Sequence, residues 1–356
     1  MRKFLLLLLG VGSFLFVSAA VGKAAEKSEP SQMALIEGAK KEGEVVVWTH
    51  TWEQEESLLK PFREKYPFLK VKVWDSRNEE VVNRIITEAK AGRHSVDVFF
   101  LVNRGFLALK EAGMLQEYDW PAHVRNWPHQ PDHKHWVYTV VSPYVPAYNT
   151  QAVPAHEAPK SWEDLKNPKW RGKTSVSSSG AEVPLLFAHM WRKEKELDWE
   201  RVFAFWNEVI KNTRPKVVRA FHEPTELLAA GEHHLFLLDA LGVALNYMEK
   251  GAPIKIAAVG KVAGSGWGVA MPKVIPRPNA ARLFVEYLLS PEGVARYADV
   301  HRTPALDAEV AKRAKVNRMI REAGVEVYPI PDSFVTTDNI RKATQWWTSA
   351  LGIRGK

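Results

Sequence analysis

Between residues 44 and 113 the sequence changes period again and again. β-branched and aromatic runs at 44–49, 71–75 and 95–102 are each followed by a segment with helical spacing. In the segment 78–92, Val81, Val82, Ile85, Ile86 and Ala89 fall on one helical face and Gly92 provides the stop. A βαβαβ order of this kind predicts a parallel sheet with right-handed crossovers. Few other folds accommodate it.

The pattern breaks at 119–136, which is rich in Pro, His and Trp and reads as a loop. An extended run at 137–148 follows. A second alternation then begins, with strands expected at 174–177, 216–220, 235–238 and 254–258. Its helices are expected at 182–196, 198–211, 223–230 and 242–250. After another extended run at 264–273 the chain reads as nearly all helix, at 279–289, 291–300, 307–323 and 337–349. The sequence therefore predicts two α/β lobes, 30–143 plus 268–356 and 144–267, joined by two extended segments. A length of 356 residues suits two domains. Ligands of open parallel sheets sit beyond the carboxyl ends of the strands. Two facing lobes would put those ends across one cleft with a hinge.

Residues 1–25 have a basic start, an apolar run and small residues after it, which is the pattern of a secretory signal peptide. The apolar run is shorter than the roughly 20 residues of a membrane span. Cysteine is absent, so export brings no disulfide framework. The formal charge is +8, and removal of Arg2, Lys3 and Lys23 leaves +5. Lys and Arg are scattered among Glu, which argues for a solvated surface and against nucleic acid as a partner. A periplasmic location follows as the expectation.

Candidate ligand contacts are the residues at strand ends. His50, Thr51 and Trp52 end the first strand, Trp52 as a stacking surface; Thr51 and Gln54 also form a capping-box pattern. Asn103 and Arg104 end the third strand, where Arg104 offers a planar fork to an acid. Ser177, Ser178, Ser179 and Gly180 precede a helix and would form an anion cradle, while Ser179 and Glu182 match a capping box. Phe221 and His222 follow one strand of the second lobe, and Asp239 and Leu241 follow the next. Asp239 as an unpaired cleft acid would favour an amine. Tyr144 and Tyr148 lie on the linking strand. The histidines at 123, 129, 133 and 135 lack known zinc spacing, so no metal site is expected there. Gln345–Trp347 reads as packing. A secreted hydrolase is the alternative of another class, but neither G-x-S-x-G nor H-E-x-x-H occurs.

Several stretches resemble a known family in its own order: "AKKEGEVVVWTHT", "PFREKYPFLKVKVW", "DVFFLV", "LKEAGML", "APKSWEDLKNPKWRGK", "LLAAGEHHLFLL", "YMEKGAPIKI", "GWGVAMPK" and "ARLFVEYLLSPEG". The chain resembles the periplasmic solute-binding proteins of ABC importers, in the group with ferric-iron, thiamine and aminoethylphosphonate binders. The resemblance implies a two-lobed type II periplasmic binding fold with its cleft at a two-segment hinge. It implies a monomer that hands a small solute to an inner-membrane permease, with no catalysis and no cofactor. Ferric-iron binders of the group carry adjacent tyrosines just after the strand expected at 235–238. Here Leu241 and Gly242 stand there. A small organic solute, zwitterionic or anionic, is the expectation, with ferric iron as the alternative.

Overall fold

A computed structural model describes residues 32–50, 55–125, 127, 134–180, 182–219, 221–301 and 308–353. The signal segment, the capping box at 51–54 and the contacts expected of Thr51 and Trp52 lie outside these residues. The first sheet is built by α1 (Gln32–Glu42), β1 (Glu44–Thr49), α2 (Glu55–Lys65), β2 (Lys70–Asp75), α3 (Asn78–Lys90), β3 (Val98–Val102), α4 (Asn103–Glu111) and α5 (Ala122–Arg125). The long β4 (Trp136–Asn149) then carries the chain away. Beyond it come β5 (Thr174–Ser177), α6 (Val183–Met190), α7 (Trp199–Thr213), β6 (Lys216–Val218), α8 (His222–Ala229), β7 (Leu235–Ala240), α9 (Leu241–Glu249) and β8 (Ile254–Ile256). The chain returns along β9 (Gly260–Ala270). It ends with α10 (Pro278–Leu288), α11 (Pro291–His301), α12 (Ala308–Arg313), α13 (Lys315–Glu322), β10 (Val325–Pro329) and α14 (Thr337–Ala350).

β1 pairs in parallel with both β2 and β3, so Val47 lies between Val73 and Val98. Both faces of this sheet are covered. Val81, Val82 and Ile85 of α3 pack on one face with Phe106 and Leu109 of α4. Leu35, Leu58, Phe62 and Phe284, from α1, α2 and α10, pack on the other. Glu79 and Glu80 occupy the first turn of α3, the end where the helix dipole favours negative charge.

The second sheet has β5 in parallel with β6 and β7, and β4 antiparallel to β7 and β8. Hydrogen bonding runs unbroken from one sheet to the other, in the order β2-β1-β3-β9-β4-β7-β5-β6. The reason is that β4 changes partners along its length. Trp136 to Pro143 pair with β9, and from Tyr144 onward the partners are β7 and β8. The two halves are thus joined through the strand that links them.

The C-terminal part is nearly all helix; the exception is β10, which follows Gly324 (φ +70°) in the gap between the helices expected at 307–323 and 337–349 and pairs in parallel with the start of β9. Val325 and Val327 supplied the alternation, and a five-residue run is too short to stand out between helices. α14, in the stretch expected with the first lobe, makes contacts on both sides. Its Trp347 packs against Trp206 of α7 and its Trp346 stacks on Phe203, so its apolar face belongs to the second half. Its start touches the first half, where the Thr337 hydroxyl donates to Glu111 of α4 at 2.7 Å.

Candidate functional site

A cleft of about 1030 Å³ lies where the carboxyl ends of β1, β3 and β7 approach one face of α14. Its inner end is organised around Arg104. This residue opens α4 and so projects from the end of β3. Its Nε donates to Glu79 Oε1 at 3.0 Å, and its NH1 donates to Glu182 Oε2. Glu79 belongs to the first half and Glu182 to the second, so this ion pair crosses the cleft. Glu182 Oε1 accepts from the Tyr144 hydroxyl at 3.2 Å and from Ser265 Oγ at 3.1 Å. Tyr144 is on β4 and Ser265 on β9, so one carboxylate gathers both linking strands. Burial, and then Glu182, push the Tyr144 phenol well above its usual range.

His50 closes β1. Its Nδ1 lies 3.3 Å from the Ser76 carbonyl oxygen and its ring is 5.7 Å from that of Trp267. Burial, and then Arg104, hold its imidazole below the usual histidine range. From the second half come Ser179, Phe221 and His222, as the strand-end rule anticipates, and Gly242 stands beside them. The Phe221 ring lies 5.7 Å from that of Tyr144.

The other expected contacts do not line the cleft. Ser177 is buried, and its Oγ accepts from the Ser179 amide at 3.1 Å. Ser178 gives its amide (2.8 Å) and its hydroxyl (3.1 Å) to the Val218 carbonyl. With these donors held inside, the expected anion cradle does not form. Gly180 is turned inward against Val183. Asn103 is buried and accepts from the Arg104 amide. Tyr148 and Leu241 belong to the core. The expected Ser179–Glu182 capping box is absent too, because α6 starts only at Val183, with Pro184 in its first turn. Ser179 donates to the Arg219 carbonyl instead. Glu182 is left to face the cleft.

Asp239 was expected as an unpaired cleft acid. It is fully buried at the end of β7, beside Thr225. Thr225 Oγ1 lies 2.6 Å from the Phe221 carbonyl and 2.9 Å from Asp239 Oδ2, and has a single proton for the two. A protonated Asp239 resolves this by donating to Thr225 Oγ1. Burial indeed pushes the Asp239 carboxyl well above its usual range. A raised folded-state pKa contributes stability below the unfolded value near 4. That contribution is lost as pH rises from there towards the folded value. Asp239→Asn, whose amide makes the same donation, is therefore expected to raise the melting temperature at pH 8 and to change it little at pH 4. Equal shifts at both pH values in thermal melts would contradict this assignment.

Sequence reasoning did not single out Glu79, Glu182 or the face of α14 that carries Thr337, Arg341 and Gln345. The signal for Glu182 was Pro184, which fixes the start of α6 after the glutamate. For α14 it was the pair of adjacent tryptophans, whose burial turns the polar residues outward. Trp346 and Trp347 do pack as the sequence implied. His129 and His133 lie outside the described residues. Among the described residues no group of three or more His, Asp or Glu is placed to hold a metal ion, and no helix is long and apolar enough to cross a membrane.

A Serratia marcescens Fe(3+)-binding periplasmic protein is 26% identical over 163 residues, 44% of this chain and 46% of that protein. A probable ABC transporter periplasmic-binding protein of Sinorhizobium fredii is 24% identical over 261 residues, 68% of this chain and 69% of that one. The crystal structure of a substrate-binding protein of an ABC transporter from Agrobacterium tumefaciens matches the fold with a TM-score of 0.72. The match covers 88% of this chain and 96% of that one, at 18% identity. The fold is that of the type II periplasmic binding proteins, as the resemblance implied. Residues 57–318 match the family model described as bacterial extracellular solute-binding protein, and the chain belongs to that family of binding proteins rather than enzymes.

Proposed function

We propose that this protein is the periplasmic receptor of an ABC-type importer, capturing a small organic solute in the cleft and presenting it to a membrane permease. One observation carries the reading: the cleft is lined from both sheets, and its cross-cleft ion pair touches both linking strands. The halves close as lobes about the crossing of β4 and β9, where β4 changes partner between Pro143 and Tyr144. A volume near 1030 Å³ is in the range of pockets that enclose small organic ligands.

A ligand that binds only the folded state stabilises it by about 2.7 kcal/mol at a hundred times its Kd. The expected result is a rise in melting temperature of about 5 °C or more, with a change in tryptophan emission because Trp267 lines the cleft. If no solute from a broad panel or from a cell extract produces either change, the receptor reading fails.

The name of the Serratia relative favours a second reading, ferric iron. Iron(III) prefers hard anionic oxygen donors. Tyr144 would have to lose its proton beside Glu182, against the direction in which burial pushes it. Visible charge-transfer absorbance on adding ferric citrate would favour iron over an organic solute.

A further inference from the structure

Charge in the cleft is unevenly distributed. At the inner end, Arg104 faces the carboxylates of both Glu79 and Glu182, so the three formal charges sum to −1. His50 stands beside them as a neutral ring at pH 7, since burial holds its pKa down. Aromatic surface flanks the place, with His50 and Trp267 from one side and Tyr144 and Phe221 from the other. The remaining arginines of the cleft, Arg77 and Arg341, have side chains 79% and 59% exposed. Each pairs with one nearby acid, Glu80 or Asp338, and exposed pairs of this kind are weak. The Arg104 end of the cleft is thus anionic and aromatic, while Arg77 and Arg341 line it at more exposed positions together with Glu111.

We propose that the solute carries a cationic nitrogen, ammonium or quaternary, which seats against Glu79 and Glu182 between the ring pairs, with any acidic group turned outward to Arg77 and Arg341. This rests on the receptor reading above. Ring faces attract cations, and the surplus carboxylate adds an opposite charge. Arg104 has N–H groups beyond the two it gives to Glu79 and Glu182, but an anion placed on them would stand beside both carboxylates, where the three formal charges already sum to −1.

The test uses the full mature chain in thermal-shift and calorimetric titrations. The amine probes are choline, agmatine and 4-(trimethylammonio)butyrate. They are set against 5,5-dimethylhexanoate, in which carbon replaces the cationic nitrogen, and against methylphosphonate, glucose and ferric citrate. A low-molecular-mass extract of cells that make the protein is added as a further arm, with bound species read by native mass spectrometry. The expected result is that the bound species carry a cationic nitrogen. Glu79→Gln and Glu182→Gln should each weaken their binding about tenfold or more, the scale of one lost charge contact. Glu79 is 63% exposed, so its variant does not endanger folding. A solute without cationic nitrogen that binds best, and binds tighter to Glu182→Gln because Arg104 is released, overturns the proposal and leaves the receptor reading standing. Amine binding unchanged in both variants also overturns it. If neither panel nor extract yields any bound species, both readings fail.

Discussion

Trp347→Ala is expected to lower the melting temperature by about 10 °C. Trp347 is fully buried, although it lies only nine residues before Lys356. Its ring meets Trp206 edge-on at 5.3 Å, and Trp206 in turn meets Phe187 at 5.3 Å. Its Nε1 donates to the Ser177 carbonyl at 3.4 Å, tying α14 to β5. Truncating a buried tryptophan costs about 3–5 kcal/mol, and each kcal/mol moves the melting temperature by roughly 2–4 °C in a folding unit of about 150–250 residues, the size class of the half into which Trp347 packs. Trp347→Phe keeps most of the apolar contact and should recover more than half of the loss. The effect reaches the cleft because the opposite face of the same helix carries Arg341 and Gln345. A weaker-binding Trp347→Ala protein that is still folded at 20 °C would show that docking of α14 supports the ligand flank. A drop of less than about 2 °C would mean that the helix contributes little to the core of the second half.

That helix also marks where the sequence was readable and where it was not. β1 and β5 have the expected bounds, and β2, β3 and β7 differ only at their ends. β3, with the sequence VFFLV, is buried at every position and shows itself in composition alone, whereas β5, with the sequence TSVS, is equally buried but carries two serines. Strand ends then located His50, Arg104, Phe221 and His222 on the cleft. The same rule failed for Asp239, which ends β7 but points into the core beside Thr225. A strand end specifies a neighbourhood, while the side of the pleat on which a residue falls depends on register with its neighbours. Glu79 and Glu182 were hidden for a different reason. Both stand at helix starts, where an acid has an ordinary use against the helix dipole. Only the meeting of two helix starts, 103 residues apart in sequence, turns them into partners of one arginine.

Gly268→Ala is expected to be as damaging as the loss of Trp347, through the opposite cause. Gly264, Gly266 and Gly268 alternate along β9 and so share one face of the strand. A methyl group on Gly268 would overlap the Val137 carbonyl oxygen and lie 2.7 Å from its carbon and 2.8 Å from Tyr138 Cα. These are backbone atoms of β4, and no rotamer change relieves the contact. The pairing of β4 with β9 also slips between Tyr138 and Val140, where β4 has an extra residue opposite Gly268 and Trp267. The strands are therefore closest where their register is irregular. Overpacking of a tight site costs about 1–3 kcal/mol, and more when backbone must move, so a loss of roughly 5–10 °C is expected. Gly260→Ala is the control. It has open space around it but φ of +76°, so its cost is one of backbone conformation alone, about 1 kcal/mol. If Gly268→Ala melts with or above Gly260→Ala, the crowding between β4 and β9 is not what holds them in place. If it melts well below and also binds solute more weakly, then the glycine face that lets the two linking strands nest is what sets the angle at which the cleft walls meet.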